Sequence, residues 1–197
     1  MKPQSLTLLI ILFLGSVYQS AKAQPTESSF FHIEKCARLE GGVVIAKKIE
    51  KGNQDLIPGG SLQYSYCLKL GHYLGLGIGA GVNLFMKEGF VPFYFDCIGL
   101  INQKRNSPFI NVKAGYSFGW SNKYNNLENP EFSGGYCFGI GLGKKFHIRD
   151  KFATYISISY NHQMAELSYT ADNTQTYYEN LNYPMLKLNI GLMLEQN

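Results

Sequence analysis

Between residues 73 and 86 the chain reads YLGLGIGAGVNLFM, and bulky and small residues alternate without a break. The even positions are Leu74, Leu76, Ile78, Ala80, Val82, Leu84 and Met86; the odd ones are Tyr73, Gly75, Gly77, Gly79, Gly81, Asn83 and Phe85. Successive side chains of an extended strand point to opposite faces. The pattern therefore predicts a strand with one aliphatic face and one face of almost bare backbone. The same period returns at 109–120, where Ile110, Val112, Ala114, Tyr116, Phe118 and Trp120 oppose Asn111, Lys113, Gly115, Ser117 and Gly119. It recurs at 136–146 (Phe138, Ile140 and Leu142 against Gly139, Gly141 and Gly143) and at 152–162 (Ile156, Ile158 and Tyr160 against Ser157, Ser159 and Asn161). Near the C-terminus Leu186, Leu188, Ile190, Leu192 and Leu194 oppose Met185, Lys187, Asn189, Gly191 and Met193.

Segments 60–70 and 90–101, with a less regular one at about 31–46, bring the total to eight strands. Connections two, four and six are short and polar, at 71–72, 102–107 and 149–150. Connections one, five and seven are long, at 47–59, 121–133 and 170–182, while the third, at 87–89, is short. Short turns on one rim and longer loops on the other are the habit of outer-membrane barrels. The predicted fold is all-β, an eight-stranded antiparallel up-and-down transmembrane β-barrel.

The choice between a soluble and a membrane barrel turns on which face is oily. A soluble lipocalin-like barrel hides its large apolar residues, whereas a membrane barrel turns them to lipid. The minor faces here carry the glycine runs together with Lys69, Asp96, Lys113 and Lys187, and on strand one Glu34, Arg38 and Glu40 share a parity. An eight-stranded bore is barely wide enough for side chains, so glycine there makes room for larger neighbours. The seven charged residues are assigned to the bore, where burial requires pairing and pairing would plug the channel. Trp120, Tyr136, Tyr160, Tyr183 and Phe90 fall at the long-loop ends of their strands, and Phe31, Tyr73, Phe146 and Phe152 at the short-turn ends. Two aromatic girdles are expected at the lipid–water boundaries.

Composition agrees. The 197 residues are 45% hydrophobic and 16% charged, with 14 Tyr, 13 Phe and 21 Gly, too little charge for a solvated exterior or for disorder. A formal charge of +4 carries no basic stripe of the kind that binds nucleic acid. Lys2, the apolar run 6–14 and Ala21-Lys22-Ala23 form a secretory signal peptide. The domains are therefore a signal peptide at 1–23 and an outer-membrane barrel at 24–197. Export permits disulfides. Cys36 and Cys67 sit low on adjacent strands with the bore parity, so a Cys36–Cys67 bond and two free packed thiols are both open. Cys97 is assigned to the lipid face and Cys137 to the opposite rim, and neither is expected to pair.

The runs FVPFYFDCIGLI and SPFINVKAGYSFGW resemble the small outer-membrane β-barrel proteins of Bacteroides-type bacteria. The resemblance implies a monomeric barrel in the Gram-negative outer membrane, with membrane lipid and, during insertion, the barrel assembly machinery as partners. The chain departs from such barrels at its end, Leu192-Met193-Leu194-Glu195-Gln196-Asn197, where an aromatic is usual. Candidate chemistry is sparse. His162, Met164, Glu166 and Ser168 share a strand face, but Ser168 lies about 20 Å along the strand from His162, too far for a nucleophile–base pair. His32, His72 and His147 map to the short-turn rim on different strands, which is no metal shell. No catalytic residue, metal ligand or cofactor site is assigned. The expected function is that of a non-enzymatic barrel, structural or surface-binding through long extracellular loops rich in Asn, Tyr and Glu, with its bore plugged by side chains. The alternatives are a lipid-A-modifying barrel enzyme and a secreted soluble lipocalin-like barrel.

Overall fold

The computed structural model describes residues 33–50, 53–71, 73–102, 106–124, 127–149, 151–171 and 175–196. The signal-peptide segment, Phe31, His32 and His72 lie outside these residues. The strands are β1 (Ile33–Glu50), β2 (Asn53–Leu70), β3 (Leu74–Phe85), β4 (Glu88–Leu100), β5 (Pro108–Ser121), β6 (Glu128–Ser133), β7 (Tyr136–Arg149), β8 (Phe152–Ala171) and β9 (Gln175–Gln196). Every pairing is antiparallel, and β1 pairs with β9 as well as β2, so β1, β2, β3, β4, β5, β7, β8 and β9 form a closed ring of eight. Closure leaves no open sheet edge to hydrogen-bond with lipid, which is the condition for crossing a bilayer with strands.

The ninth strand, β6, is no extra stave. It pairs with the upper part of β8 (Phe132↔Leu167, Ser133↔Glu166), along the edge that β7 occupies lower down (Cys137↔Gln163). β6 and β7 are thus two halves of one stave, interrupted at Gly134-Gly135. At the break Ser117 N–H donates to the Gly135 carbonyl at 2.9 Å. A Cβ on Gly134 would run into the Ser117 carbonyl, so only glycine permits this approach.

The strands outrun the expected ones. The β1–β2 ladder continues to Glu50↔Asn53, and the β8–β9 ladder to Ala171↔Gln175. Connection one is therefore residues 51–52 rather than 47–59, and connection seven is 172–174 rather than 170–182. β6 occupies part of the expected loop at 121–133. Above the apolar band a hairpin is free to be polar on both faces. The hydrophobic period fades there while backbone pairing does not.

The oily side is the outside. Leu76, Ile78, Ile140, Ile158 and Ile190 are exposed, whereas Asp96, Lys113 and Lys187 are buried. That arrangement overturns the soluble lipocalin-like alternative, because such a barrel would show these faces reversed. The outer wall has two sectors. β8, β9 and β1 present aliphatic side chains such as Ile156, Leu188 and Val43. From β2 to β7 the register aligns Tyr64, Ala80, Phe93, Tyr116 and Tyr136 in one row and Tyr66, Ile78, Phe95, Ala114 and Phe138 in the next.

Trp120, Tyr136, Tyr160, Tyr73 and Phe152 are exposed near the strand ends. Phe90 and Tyr183, expected in the girdle, are not: both are 0% exposed. Their parity explains it. Tyr183 shares a face with Met185 and Lys187, and Phe90 with Tyr94 and Asp96, so both point inward. Their rings meet edge to face at 5.0 Å.

Candidate functional site: the barrel lumen

The lumen is built from the minor faces of the eight staves, and side chains crowd it. Nearest the termini, Lys69 on β2 reaches Glu195 on β9 at 2.5 Å and Glu34 on β1 at 3.5 Å. Lys145 on β7 reaches the same Glu195 oxygen at 3.0 Å. Beside them Cys36 and Cys67 are paired across β1 and β2, with Cα atoms 5.0 Å apart and a disulfide between them. Cys97 and Cys137 are free.

Higher up, Arg38 on β1 pairs with Asp96 on β4, both almost wholly buried. Glu40 on β1 pairs with Lys113 on β5 and accepts a bond from the Tyr155 hydroxyl on β8 at 2.9 Å. Lys113 Nζ also donates to Gln63 Oε1 at 2.6 Å and lies 5.0 Å from the centre of the Tyr94 ring. On β9, Lys187 Nζ donates to Asn83 Oδ1 on β3 at 2.8 Å. The hydrogen bonds and ion pairs among these cross the lumen instead of running along the ladder, so they hold staves that are not neighbours.

Glycine opens the space they use. A Cβ on Gly191 would overlap the Tyr155 ring, and one on Gly79 would sit 2.5 Å from Tyr94 Cε2. The rings therefore lie flat over bare backbone and leave the axis to the charged groups.

The end away from the termini is sealed differently. Val44, Ala46, Phe90, Tyr124, Leu167, Leu181, Tyr183 and Met185 form an apolar cluster there. Embedded in it, Lys48 Nζ donates to Glu88 Oε1 at 2.8 Å and to the Tyr124 hydroxyl, and Tyr183 donates to Glu88 Oε2 at 2.8 Å. The lumen charges Lys48, Glu88 and Lys145, which are buried, and Glu195, which is half-buried, are not among the sequence candidates. Parity carries the signal for them: Lys48 continues the face of Arg38 and Glu40, and Glu195 that of Lys187. The sequence pattern of strand one fades at about residue 46, before Lys48, and Glu195 falls in the irregular run that follows Leu194.

The residues weighed for enzymatic chemistry lie elsewhere. His162 is on the outer face, stacked on Phe138 with ring centres 5.1 Å apart, and its Nε2 is 3.3 Å from Asn182 Oδ1. Ser168 is six positions further along the same strand, and its register partners are Glu131 and Tyr178. His147 is half-buried at the turn rim. Among the described residues no three His, Cys, Asp or Glu side chains gather as a metal site.

A closed ring of eight staves, oily outside and with charged pairs within, defines the chain as an outer-membrane β-barrel protein, resident in the outer membrane of a Gram-negative envelope. The solved structures it resembles belong to that class. Neisserial surface protein A aligns over 80% of this chain and 96% of its own, at 12% identity and a TM-score of 0.55. The outer membrane protein OprG from Pseudomonas aeruginosa aligns over 82% and 95%, at 8% identity and a TM-score of 0.55. No protein-family model and no curated protein matches the sequence.

Proposed function

We propose that this protein is a non-enzymatic, non-conducting outer-membrane barrel, of the small Bacteroides type suggested by its Pro-Phe and Gly-Tyr-Ser-Phe segments. In this reading it works as a monomer held by outer-membrane lipid, is inserted by the barrel assembly machinery, and needs no nucleic acid or cofactor. The observation that carries the proposal is the packed lumen: among the described residues, charge pairs occupy its middle and an apolar cluster one end. Contact with the outside then falls to the strand ends beyond the apolar band, on the rim away from both termini. There Gln54, Asp55, Glu131, Ser133, Glu166 and Asn180 are exposed, with Tyr177 and Tyr178 beside them. This replaces long flexible loops by paired ribbons as the surface-binding element.

The test joins two measurements. Purified barrel in planar bilayers should leave conductance at the lipid baseline, and lipid A from cells producing it should keep its acylation pattern by mass spectrometry. Steady ion conductance would overturn the plug. A changed acyl count would transfer the reading to the lipid-A-modifying alternative.

A further inference from the structure

The outer wall from β2 to β7 is not smooth. In one register row Ala80 lies between the rings of Tyr64 and Phe93, and in the next Ala114 lies between Phe95 and Phe138. Opposed side chains on neighbouring strands start only about 4.5–5.5 Å apart, so each alanine is a dip between two rings. Together the dips make a furrow of about 980 Å³, flanked also by Tyr66, Tyr116 and Tyr136. Sites for organic ligands occupy roughly 300–1,000 Å³. By contrast β8 and β9 oppose Ile156 to Ile190 and Ile158 to Leu188, an outward surface of even height.

The outward furrow is apolar except for its tyrosine hydroxyls. Tyr66 and Tyr64 stand four and six residues from Leu70, where β2 ends at the short-turn rim. Their Cα atoms are thus roughly 10–15 Å up a band about 25 Å tall. Both side chains are exposed, and among the described residues neither hydroxyl has a hydrogen-bond partner. Hydrocarbon supplies none, and an unbonded hydroxyl there is costly. The furrow therefore suits a lipid that carries oxygen on its chains better than a plain alkyl chain.

The rim above the furrow adds charge. The Asn122 N–H donates to the Lys87 carbonyl at 2.8 Å, tying the segment after β5 to the turn between β3 and β4. Lys87 and Lys123, both exposed, line one cleft of about 190 Å³ there. Lys48, Asp55 and Glu88 line it too, but Glu88 already accepts from Lys48 and Tyr183, so the exposed lysines leave the cleft positive. Met86, also in its lining and 90% exposed, continues the outward face of Ile78 and Leu84, joining the cleft to the lipid side. This rim lies away from both termini, where barrels of this class meet the outer leaflet.

We infer that the furrow and the cleft above it bind one molecule of the phosphorylated glycolipid of the outer leaflet, lipid A. A phosphate sits at Lys87 and Lys123, acyl chains lie over Ala80 and Ala114, and the ester and hydroxyl oxygens of those chains meet the tyrosine hydroxyls. The inference rests on the membrane-barrel reading and deepens it by naming the lipid that holds the wall; the lipid is bound, not modified.

Full-length mature barrel refolded in detergent, titrated with purified lipid A or with a saturated phosphatidylethanolamine and read by native mass spectrometry, gives the test. Wild type should take up one lipid A per monomer, several-fold more tightly than the phospholipid. Ala80→Phe with Ala114→Phe fills the dips while keeping the wall apolar, so it should fold, as read by heat-modified gel mobility, and lose most of that binding. Tyr64→Phe with Tyr66→Phe, and separately Lys87→Gln with Lys123→Gln, should each narrow the preference. The lysine pair lies outside the band and tests the headgroup without touching the wall. Ile156→Phe, on the even sector, should bind as wild type does. Equal affinity for the two lipids would overturn the inference, as would undiminished binding in the filled variant or an equal loss in Ile156→Phe. A dimer that the filled variant dissociates would give the furrow to a second copy and overturn it equally. Conductance and the acyl count test the plugged barrel and leave these titrations untouched, so the two readings fail separately.

Discussion

At the scale of single residues the lumen depends on pairs that cannot be halved. Asp96 and Arg38 are both about 2% exposed, so removing one partner strands a buried charge. Asp96→Asn should cost about 3–5 kcal/mol, while the double replacement Arg38→Met with Asp96→Leu should be close to neutral. Urea titration of the two variants in one detergent checks it; equal losses would show that the pair itself stabilises. The Cys36–Cys67 bond closes a loop with a sequence separation of 31, a length at which a cross-link contributes about 3–4 kcal/mol in the chain-entropy picture. Mass spectrometry of the unreduced protein should show this link, with Cys97 and Cys137 open to alkylation after unfolding. A Cys97–Cys137 bridge would break the strand register described above.

At the scale of strands, alternation alone was enough to orient the barrel. Leu76, Ile78, Ile140 and Ile190 lie on the lipid side because period 2 leaves no other choice once one face is aliphatic. Ile140→Arg, with the side chain in the band, should cost about 2–4 kcal/mol. Refolding into bilayers of defined thickness measures it, and a negligible loss would mean that the wall is inside out. The sequence was less legible wherever a second influence competed with alternation. Phe90 and Tyr183 were drawn to the girdle by their height on the strand, although their parity points inward. The ends of β1, β2, β8 and β9 were read as loops, since hydrophobic contrast disappears where there is no lipid to demand it. Of the lumen, seven charged residues were legible from parity within the band. Lys48 and Glu88 were not, because they lie where the strand pattern had already been ended. Lys187 was placed in the bore, but that its partner is Asn83 rather than a carboxylate depends on which staves face each other across the lumen, and parity carries no such information.

At the scale of the whole molecule the interior ties make the cylinder a single unit. Apart from Lys69–Glu34 on the neighbouring strands β2 and β1, they link staves that are not adjacent: β1 with β4, β5 and β8, and β9 with β2, β3, β4 and β7. Unfolding should accordingly be one transition, with tryptophan fluorescence at Trp120 and gel mobility changing together. Separate midpoints for the two probes would reveal a barrel that opens in stages. The carboxylate of Glu195 has a particular place in that unity. It draws Lys69 from one flank of the seam and Lys145 from the other; the Lys145 bond can form once β7, β8 and β9 have paired, the Lys69 bond only after β9 has met β1. A half-sealed cylinder has only the first of these two bonds. The seam thus carries a latch beside its ladder, and the meeting of the last strand with the first is what sets it.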